Sequence, residues 1–179
     1  VLAVDLGSAS GRVLAGTLTD GRLDVTDIHR FKHEARRRQD GTLTWDVATM
    51  EAETIIGLKK ALEQFPDARS VSIDTWGVDW VPLDENGDLV GDVIAYRDER
   101  TSRTLDAFRE RIGDREFFDL TGNQPATINT ANQLFAYLQE NPADAQRVAG
   151  VLFLPDYFVY RLTGAVGWSR TIASTSGLL

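Results

Sequence analysis

Residues 5–12 (DLGSASGR) bring together the residue types that bind phosphate groups. The two glycines of this octet permit backbone angles closed to other residues, so the chain can curl and direct several N–H groups into one concavity. The hydroxyl groups of Ser8 and Ser10 and the guanidinium of Arg12 add donors suited to phosphate oxygens. Taken alone, the octet is compatible with a phosphate-binding turn and with an ordinary glycine-rich hairpin turn.

Asp5 is the candidate metal ligand of this segment. It lies at the end of an apolar strand and is placed to hold Mg²⁺, through water because Mg²⁺ gives up its hydration shell reluctantly. Two other phosphate loops are excluded. A Walker A loop requires Gly-Lys, which occurs nowhere in the chain. A dinucleotide fingerprint requires a helix after its glycines, whereas residues 13–18 predict a strand.

A second polar group falls within residues 71–83, which we interpret as one continuous strand. In a strand, Thr75, Gly77 and Asp79 would share one side, while the alternate residues would form an apolar side. The polar side would have a gap at Gly77 through which a polyol could approach. Asp79 could bind a sugar hydroxyl or form an ion pair with Arg97, because buried carboxylates are usually paired.

Further polar residues follow in the C-terminal half. Arg97, Asp98 and Arg100 form either a structural ion-pair network or part of a binding site. Three residues just before or within a predicted helix are weaker candidates, since short polar residues there are more often helix caps: Asn129, Thr130 and Gln133.

The elements that must position these residues follow from local signals. Three strands in succession, with a hairpin signal at Asp20-Gly21, predict an antiparallel meander. Asp46 is an N-cap candidate for a helix whose apolar face would comprise Val47, Met50, Ile55, Leu58, Leu62 and Phe65. We predict a loop at residues 36–38, helices at residues 101–111, 114–120, 130–139 and 156–162, and a strand at 151–154. This order predicts an α/β fold with a mixed sheet and covering helices.

The composition restricts the possible functions. The absence of cysteine excludes disulfides and thiolate metal sites, and a net charge of −8 argues against a nucleic-acid partner. Neither a secretory leader nor an apolar run of membrane-spanning length occurs, so we expect a cytoplasmic protein with no membrane partner. Because both ends of the chain are apolar, we expect more protein after Leu179.

Several motifs, in order and in spacing, resemble those of the FGGY carbohydrate kinases, and within that family those of the rhamnulokinases. The resemblance covers essentially the whole chain. The motifs are residues 5–12, 72–81 (SIDTWGVDWV), 95–101 (AYRDERT), 129–130 with 133–134, 154–158 (LPDYF) and 173–175.

The resemblance implies a ribonuclease-H-like fold of the actin and hexokinase type, with residues 1–179 as an N-terminal domain. It implies Mg²⁺-dependent transfer of the γ-phosphoryl group of ATP to the ketose L-rhamnulose. The phosphate loop would comprise Ser8, Ala9, Ser10, Gly11 and Arg12. Gly77 would contact the sugar, and the other residues expected in the sugar site are Thr75, Asp79, Arg97 and Asp98.

The resemblance also implies that the catalytic base and the adenosine pocket lie in a C-terminal domain beyond Leu179. Residues 1–179 alone are therefore expected to be inactive. Two alternatives remain open at this stage. One is another kinase of the family, acting on xylulose, fuculose or glycerol, and the other is a non-catalytic sugar-sensing module of the same fold.

Overall fold

The computed structural model describes all residues from Val1 to Leu179, which divide into two compact units. The first unit comprises Val1–Ala35 and Asp46–Trp76, and the second comprises Arg36–Trp45 and Gly77–Leu179. In chain order, the elements are β1 (Leu2–Leu6), β2 (Ser10–Thr19), β3 (Arg22–Lys32), β4 (Arg36–Arg37), β5 (Leu43–Trp45), α1 (Val47–Gln64), β6 (Val71–Thr75), β7 (Trp80–Leu83), β8 (Val93–Ile94), α2 (Arg100–Arg111), α3 (Asp114–Thr121), α4 (Thr130–Glu140), α5 (Pro142–Ala145), β9 (Gly150–Phe153), α6 (Leu154–Thr163) and α7 (Arg170–Ala173).

The first unit is built on a four-stranded mixed sheet with the strand order β3-β2-β1-β6. Strands β1, β2 and β3 pair antiparallel, whereas β6 pairs parallel with β1. The turn between β2 and β3 has φ values of 51° at Asp20 and 77° at Gly21, as two-residue hairpin turns require. The predicted meander and the mixed sheet are therefore confirmed.

Helix α1 covers one face of this sheet and begins at the predicted N-cap, where the Asp46 side chain accepts a hydrogen bond from the Thr49 amide. The prediction of the buried apolar face of α1 was partly wrong. Leu62 is 49% exposed, whereas Gly57 and Ala61 are buried. A side chain at Gly57 would collide with Val13 of β2, so the helix lies too close to the sheet for large residues.

The second unit contains two small antiparallel sheets, β4-β5-β8 and β7-β9, together with α2 to α7. Part of its core is formed by Trp80, Tyr137 and Phe153, with the Trp80 and Tyr137 rings in edge-to-face contact at 5.1 Å. Helices α2, α3, α4 and α6 and strand β9 confirm the sequence prediction to within a few residues. None of the helices combines the length and the apolar character needed to span a bilayer.

Two predictions about strands were wrong. Arg36 and Arg37, predicted as loop, form β4 and pair with β5, because the backbone of a short charged segment can still complete a ladder. The strand predicted for residues 71–83 is two strands, β6 and β7, which belong to different sheets and different units. The break falls at residues 76–79, so the expected alternation of polar and apolar sides does not occur there.

Candidate functional site

The first group of candidate residues lies in the turn between β1 and β2. The amide of Gly7 donates a hydrogen bond to the Ser10 carbonyl over 2.9 Å and closes the turn. Ser8 and Ser10 are partly buried and Ala9 is exposed, so the predicted phosphate-binding residues lie at an accessible strand end. The turn is also tied to the end of β3, because the His33 amide donates to the Ala9 carbonyl over 3.3 Å.

The predicted reason for the two glycines of this turn, backbone angles closed to other residues, was wrong. Neither Gly7 nor Gly11 is among the residues with positive φ, so the turn does not need their conformational freedom. A side chain at Gly11 would instead collide with the Phe31 ring and lie 2.8 Å from Leu6. Gly11 is therefore required by close packing beneath the turn.

Arg12 and Asp5, the predicted phosphate and metal ligands, form an ion pair. They are register partners across β1 and β2, and the Arg12 Nη2 and Nε atoms lie 2.6 and 2.7 Å from Asp5 Oδ2. Both side chains are about two-fifths exposed, at 42% and 37%. The pair is therefore accessible to a phosphate group that competes for the guanidinium and to a cation that competes for the carboxylate.

Asp74 is a residue that the sequence analysis missed. It is the register partner of Asp5 in the parallel pair β1–β6, so both carboxylates occupy one face of the sheet. Oxygen donors are the ligands that Mg²⁺ prefers, and one or two carboxylates with water and phosphate are its usual set. No group of three or more His, Cys, Asp or Glu side chains that could hold a metal ion occurs in the chain. The sequence feature that could have identified Asp74 as a candidate is its position inside the 72–81 motif.

The His33 ring packs beside the turn between β1 and β2. It stacks against Trp76 with ring centroids 5.8 Å apart and an interplanar angle of 26°. Burial lowers the pKa of His33, and a backbone hydrogen bond with Gly7 opposes that effect. The imidazole is therefore predominantly neutral at pH 7.

The second group of candidate residues surrounds the 77–79 turn, which lies in the second unit. The Asp79 amide donates to the Gly77 carbonyl over 3.0 Å, and Val78 between them has a φ of 68°. This is a γ-turn with a β-branched residue in the left-handed region. Such a conformation costs about 1–3 kcal/mol and persists only where surrounding contacts enforce it.

Those contacts come from α4. The Thr130 hydroxyl and the Gln133 side-chain amide both donate to the Val78 carbonyl, over 2.8 and 3.1 Å. The interpretation of Thr130 and Gln133 as helix caps was therefore wrong, since their donors bond to a residue far away in sequence. Asn129 is the N-cap residue, but its side chain accepts from the Ala126 amide and does not cap the helix.

Gly77 has no structural reason to be glycine. Its φ is not positive, and a Cβ added there would meet no atom within 4 Å. Gly113, Gly150 and Gly167 are likewise open and without positive φ, whereas Gly11 and Gly57 are packed closely against other groups. What distinguishes Gly77 is its place in the strained 77–79 turn. An open position beside a strained turn is a place where a ligand can approach the backbone closely.

Asp79 is 1% exposed, and its Oδ2 accepts a 2.6 Å hydrogen bond from the indole N–H of Trp45. The predicted partners of Asp79 were a sugar hydroxyl and Arg97, and Trp45 is a partner that the sequence pattern did not indicate. Arg97 is exposed, and its Nε donates to the Tyr96 hydroxyl over 2.8 Å. Thr75, at the end of β6, belongs to the first unit, and its hydroxyl donates to the Trp76 carbonyl.

Asp98 and Arg100 form a buried network that fixes Gln133. The Asp98 carboxylate accepts hydrogen bonds from the Leu43 and Arg100 amides, and the Arg100 guanidinium lies 3.8 Å from it. Arg100 is 1% exposed and donates through Nη2 to Gln133 Oε1 over 2.8 Å. Burial lowers the pKa of Arg100, while Asp98 opposes that effect. The Asp98–Arg100 part of the predicted ion-pair network is therefore present.

The fold is shared with solved sugar-kinase structures. Xylulose kinase from Rhodospirillum rubrum superposes with a TM-score of 0.86 at 21% sequence identity, over 100% of this chain and 37% of that one. Plasmodium falciparum glycerol kinase with ADP gives a TM-score of 0.80 at 16% identity, over 99% of this chain and 37% of that one. The architecture is consequently the mixed α/β fold of the actin and hexokinase type, as predicted.

Sequence comparison defines the family. The FGGY family of carbohydrate kinases, N-terminal domain, matches residues 1–179. The chain is 40% identical to a rhamnulokinase from Mannheimia succiniciproducens, over 100% of this chain and 37% of that protein. It is 41% identical to a rhamnulokinase from Klebsiella pneumoniae, over 99% of this chain and 37% of that protein. The chain belongs to the FGGY family of carbohydrate kinases and spans about two-fifths of the length of these relatives.

Proposed function

We propose that this chain is the N-terminal part of a kinase that transfers the γ-phosphoryl group of ATP to L-rhamnulose. The observation that carries the proposal is 40–41% identity to two rhamnulokinases along practically the whole chain. In the proposed reaction a sugar hydroxyl oxygen bonds to the γ-phosphorus and the bond to the bridging oxygen breaks. ADP leaves, and the hydroxyl proton passes to a general base.

The β1–β2 turn is the proposed phosphate site, formed by Ser8, Ala9, Ser10, Gly11 and Arg12. Its accessible position and the half-exposed Arg12 support this assignment. Arg12 would exchange its bond to Asp5 for bonds to phosphate oxygens, which a guanidinium binds well. Asp5, with Asp74 beside it, would then hold Mg²⁺ through water. The bound ion would neutralise phosphate charge.

The 77–79 turn is the proposed centre of the sugar site. The open space at Gly77 supports close approach of a sugar to the backbone. Arg97 is the exposed side chain that we propose beside it, and the buried Asp79 would act by fixing the turn. Thr75, which belongs to the first unit, is proposed separately as a sugar-binding residue. Asp98 is buried and bonded to backbone amides, so we expect it to influence sugar binding through Arg100 and not by contact.

The catalytic base and the adenosine site belong, in this proposal, to a second domain of the full-length protein. The relatives are long enough to contain one, since the chain covers 37% of their length. Residues 1–179 by themselves should therefore not catalyse phosphoryl transfer. We also propose that the full-length protein acts in the cytoplasm.

An ATP-consumption assay on the full-length protein tests the proposal. L-rhamnulose, L-fuculose, D-xylulose and glycerol are compared side by side, and phosphorus NMR identifies the product. We expect a strong preference for L-rhamnulose and formation of its 1-phosphate. Preference for another of these compounds would overturn the substrate assignment but leave the assignment of kinase activity intact. Absence of phosphorylation with all four would reject the kinase assignment in favour of a sugar-sensing module.

A further inference from the structure

We propose that Thr130 and Gln133 are positioning residues for sugar binding, because they hold the strained 77–79 turn in the conformation that presents Gly77 to the sugar. This inference rests on the proposed function, since it takes the 77–79 turn as part of the sugar site. It assigns a role to two side chains at the start of α4 that local sequence patterns indicate only as helix caps.

The 77–79 turn is not maintained by its own local contacts. Val78 is β-branched and has a φ of 68°, a conformation that is rare for such residues in any sequence context. Within the turn only one backbone hydrogen bond, from the Asp79 amide to the Gly77 carbonyl, opposes relaxation to an extended strand. The flanking sequence also favours an extended conformation, because tryptophan and valine dominate residues 76–81.

Two buried donors converge on the carbonyl oxygen of Val78. Thr130 and Gln133 are both 0% exposed, and each donates to the Val78 carbonyl. A carbonyl oxygen has two lone pairs, so these donors satisfy its full capacity. Rotation of the peptide after Val78 would leave both donors unpaired in the interior, and that cost opposes the rotation.

The side-chain amide of Gln133 is held in one orientation by its hydrogen-bond partners. Its oxygen accepts from Arg100 Nη2 over 2.8 Å, while its nitrogen also donates to the Ile128 carbonyl over 2.9 Å. A flipped amide would place its NH₂ group against the guanidinium and its oxygen against two carbonyls. The chain of contacts from Asp98 through Arg100 to Gln133 therefore ends in a fixed donor at Val78.

Asp79, the residue after Val78, is anchored by separate hydrogen bonds. The Asp79 carboxylate accepts from the Trp45 indole, and the Asp79 carbonyl accepts from the Leu154 amide over 3.0 Å. With Asp79 fixed, the orientation of the Val78 carbonyl decides how the backbone at Gly77 is presented. Thr130 and Gln133 control that orientation.

Kinetic measurements on the full-length protein test the inference. Thr130→Val keeps the shape of the side chain and removes the donor, whereas Thr130→Ser keeps the donor. We expect Thr130→Val to raise the KM for L-rhamnulose about three- to tenfold, the factor for one neutral hydrogen bond, with the KM for ATP unchanged. Thr130→Ser should restore the sugar KM. The matched control is Thr104→Val, another buried threonine, whose hydroxyl donates to the Arg100 carbonyl within α2.

A suppressor variant isolates the strain. Val78→Gly makes the positive φ acceptable without outside support, so adding Thr130→Val to it should change the sugar KM less than twofold. The inference is overturned if Thr130→Val raises both KM values equally or has no more effect than Thr104→Val. It is also overturned if the glycine leaves the effect of Thr130→Val undiminished.

Amide hydrogen exchange provides a readout that needs no substrate. Thr130→Val should accelerate exchange at Asp79 in the full-length protein, whereas Thr104→Val should not. Unchanged exchange at Asp79 would overturn the inference even if activity falls. If exchange accelerates but the wild-type protein phosphorylates no sugar, the proposed function fails and the control of the turn by Thr130 stands.

Discussion

The glycines at positions 77 and 11 should respond to alanine substitution in opposite ways. At Gly77 the added methyl group meets no atom within 4 Å and the φ is not positive, so the folded chain accommodates it. Because alanine reduces the freedom of the unfolded chain, Gly77→Ala should leave stability unchanged or raise it by about 0.4–1 kcal/mol. The same methyl group would occupy the space proposed for the sugar.

The expected effect of Gly77→Ala on binding follows from the cost of overpacking. An extra methyl group in a close contact costs about 1–3 kcal/mol, which corresponds to a rise of about 5- to 150-fold in the sugar KM. The KM for ATP should not change. Gly11→Ala should instead destabilise the first unit by about 3 kcal/mol, because its methyl group collides with Phe31 and Leu6.

Two measurements on the full-length protein separate these outcomes. Hydrogen exchange reports local stability, around Gly11 through the β1 and β2 amides of the first unit and around Gly77 through the β7 amides of the second. Steady-state kinetics report the KM for each substrate. Normal sugar kinetics for Gly77→Ala, together with unchanged stability, would refute the reasoning that the open space at Gly77 serves a ligand. Destabilisation by Gly77→Ala would show that the position is constrained by packing after all.

Four further predictions concern single residues of the first unit. Asp46→Ala should lower the stability of α1 by about 0.5–2 kcal/mol through loss of its N-cap, seen as faster exchange of the Thr49 amide. The lowered pKa of His33 means that stability is complete above the unfolded pKa of 6.5 and decreases as the pH falls from there towards the folded pKa. His33→Gln should abolish that part of the pH dependence of the urea midpoint, and an unchanged slope would assign it to another group. Arg12→Gln should raise the KM for ATP but not for sugar, and it should cost less than about 1 kcal/mol of stability because the ion pair with Asp5 is half-exposed. Asp74→Asn should raise the Mg²⁺ concentration needed for half-maximal rate, and an unaltered Mg²⁺ dependence would remove Asp74 from the cation site.

Local signals were sufficient for the elements that are determined within a few residues. The hairpin at Asp20-Gly21, the N-cap at Asp46 and the end of α6 at Gly164, which has a φ of 72°, each follow from the conformational preference of one or two residues. The pairing of Asp5 with Arg12 was also within reach, because a tight turn at residues 7–10 determines the register of β1 and β2.

The sequence by itself thus determined the meander, the main helices, the family motifs and the polar groups that could bind phosphate and sugar. Only the tertiary structure decided the break at residues 76–79, where local preference favours a continuous strand. Thr130 and Gln133, 52 and 55 residues away from Val78, override that preference with buried hydrogen bonds. The parallel register likewise places Asp74 beside Asp5, although the two residues are 69 positions apart in the sequence and nothing local indicates their pairing. Contacts between distant segments leave no periodic trace in a sequence, and for that reason the folded chain was needed to reveal them.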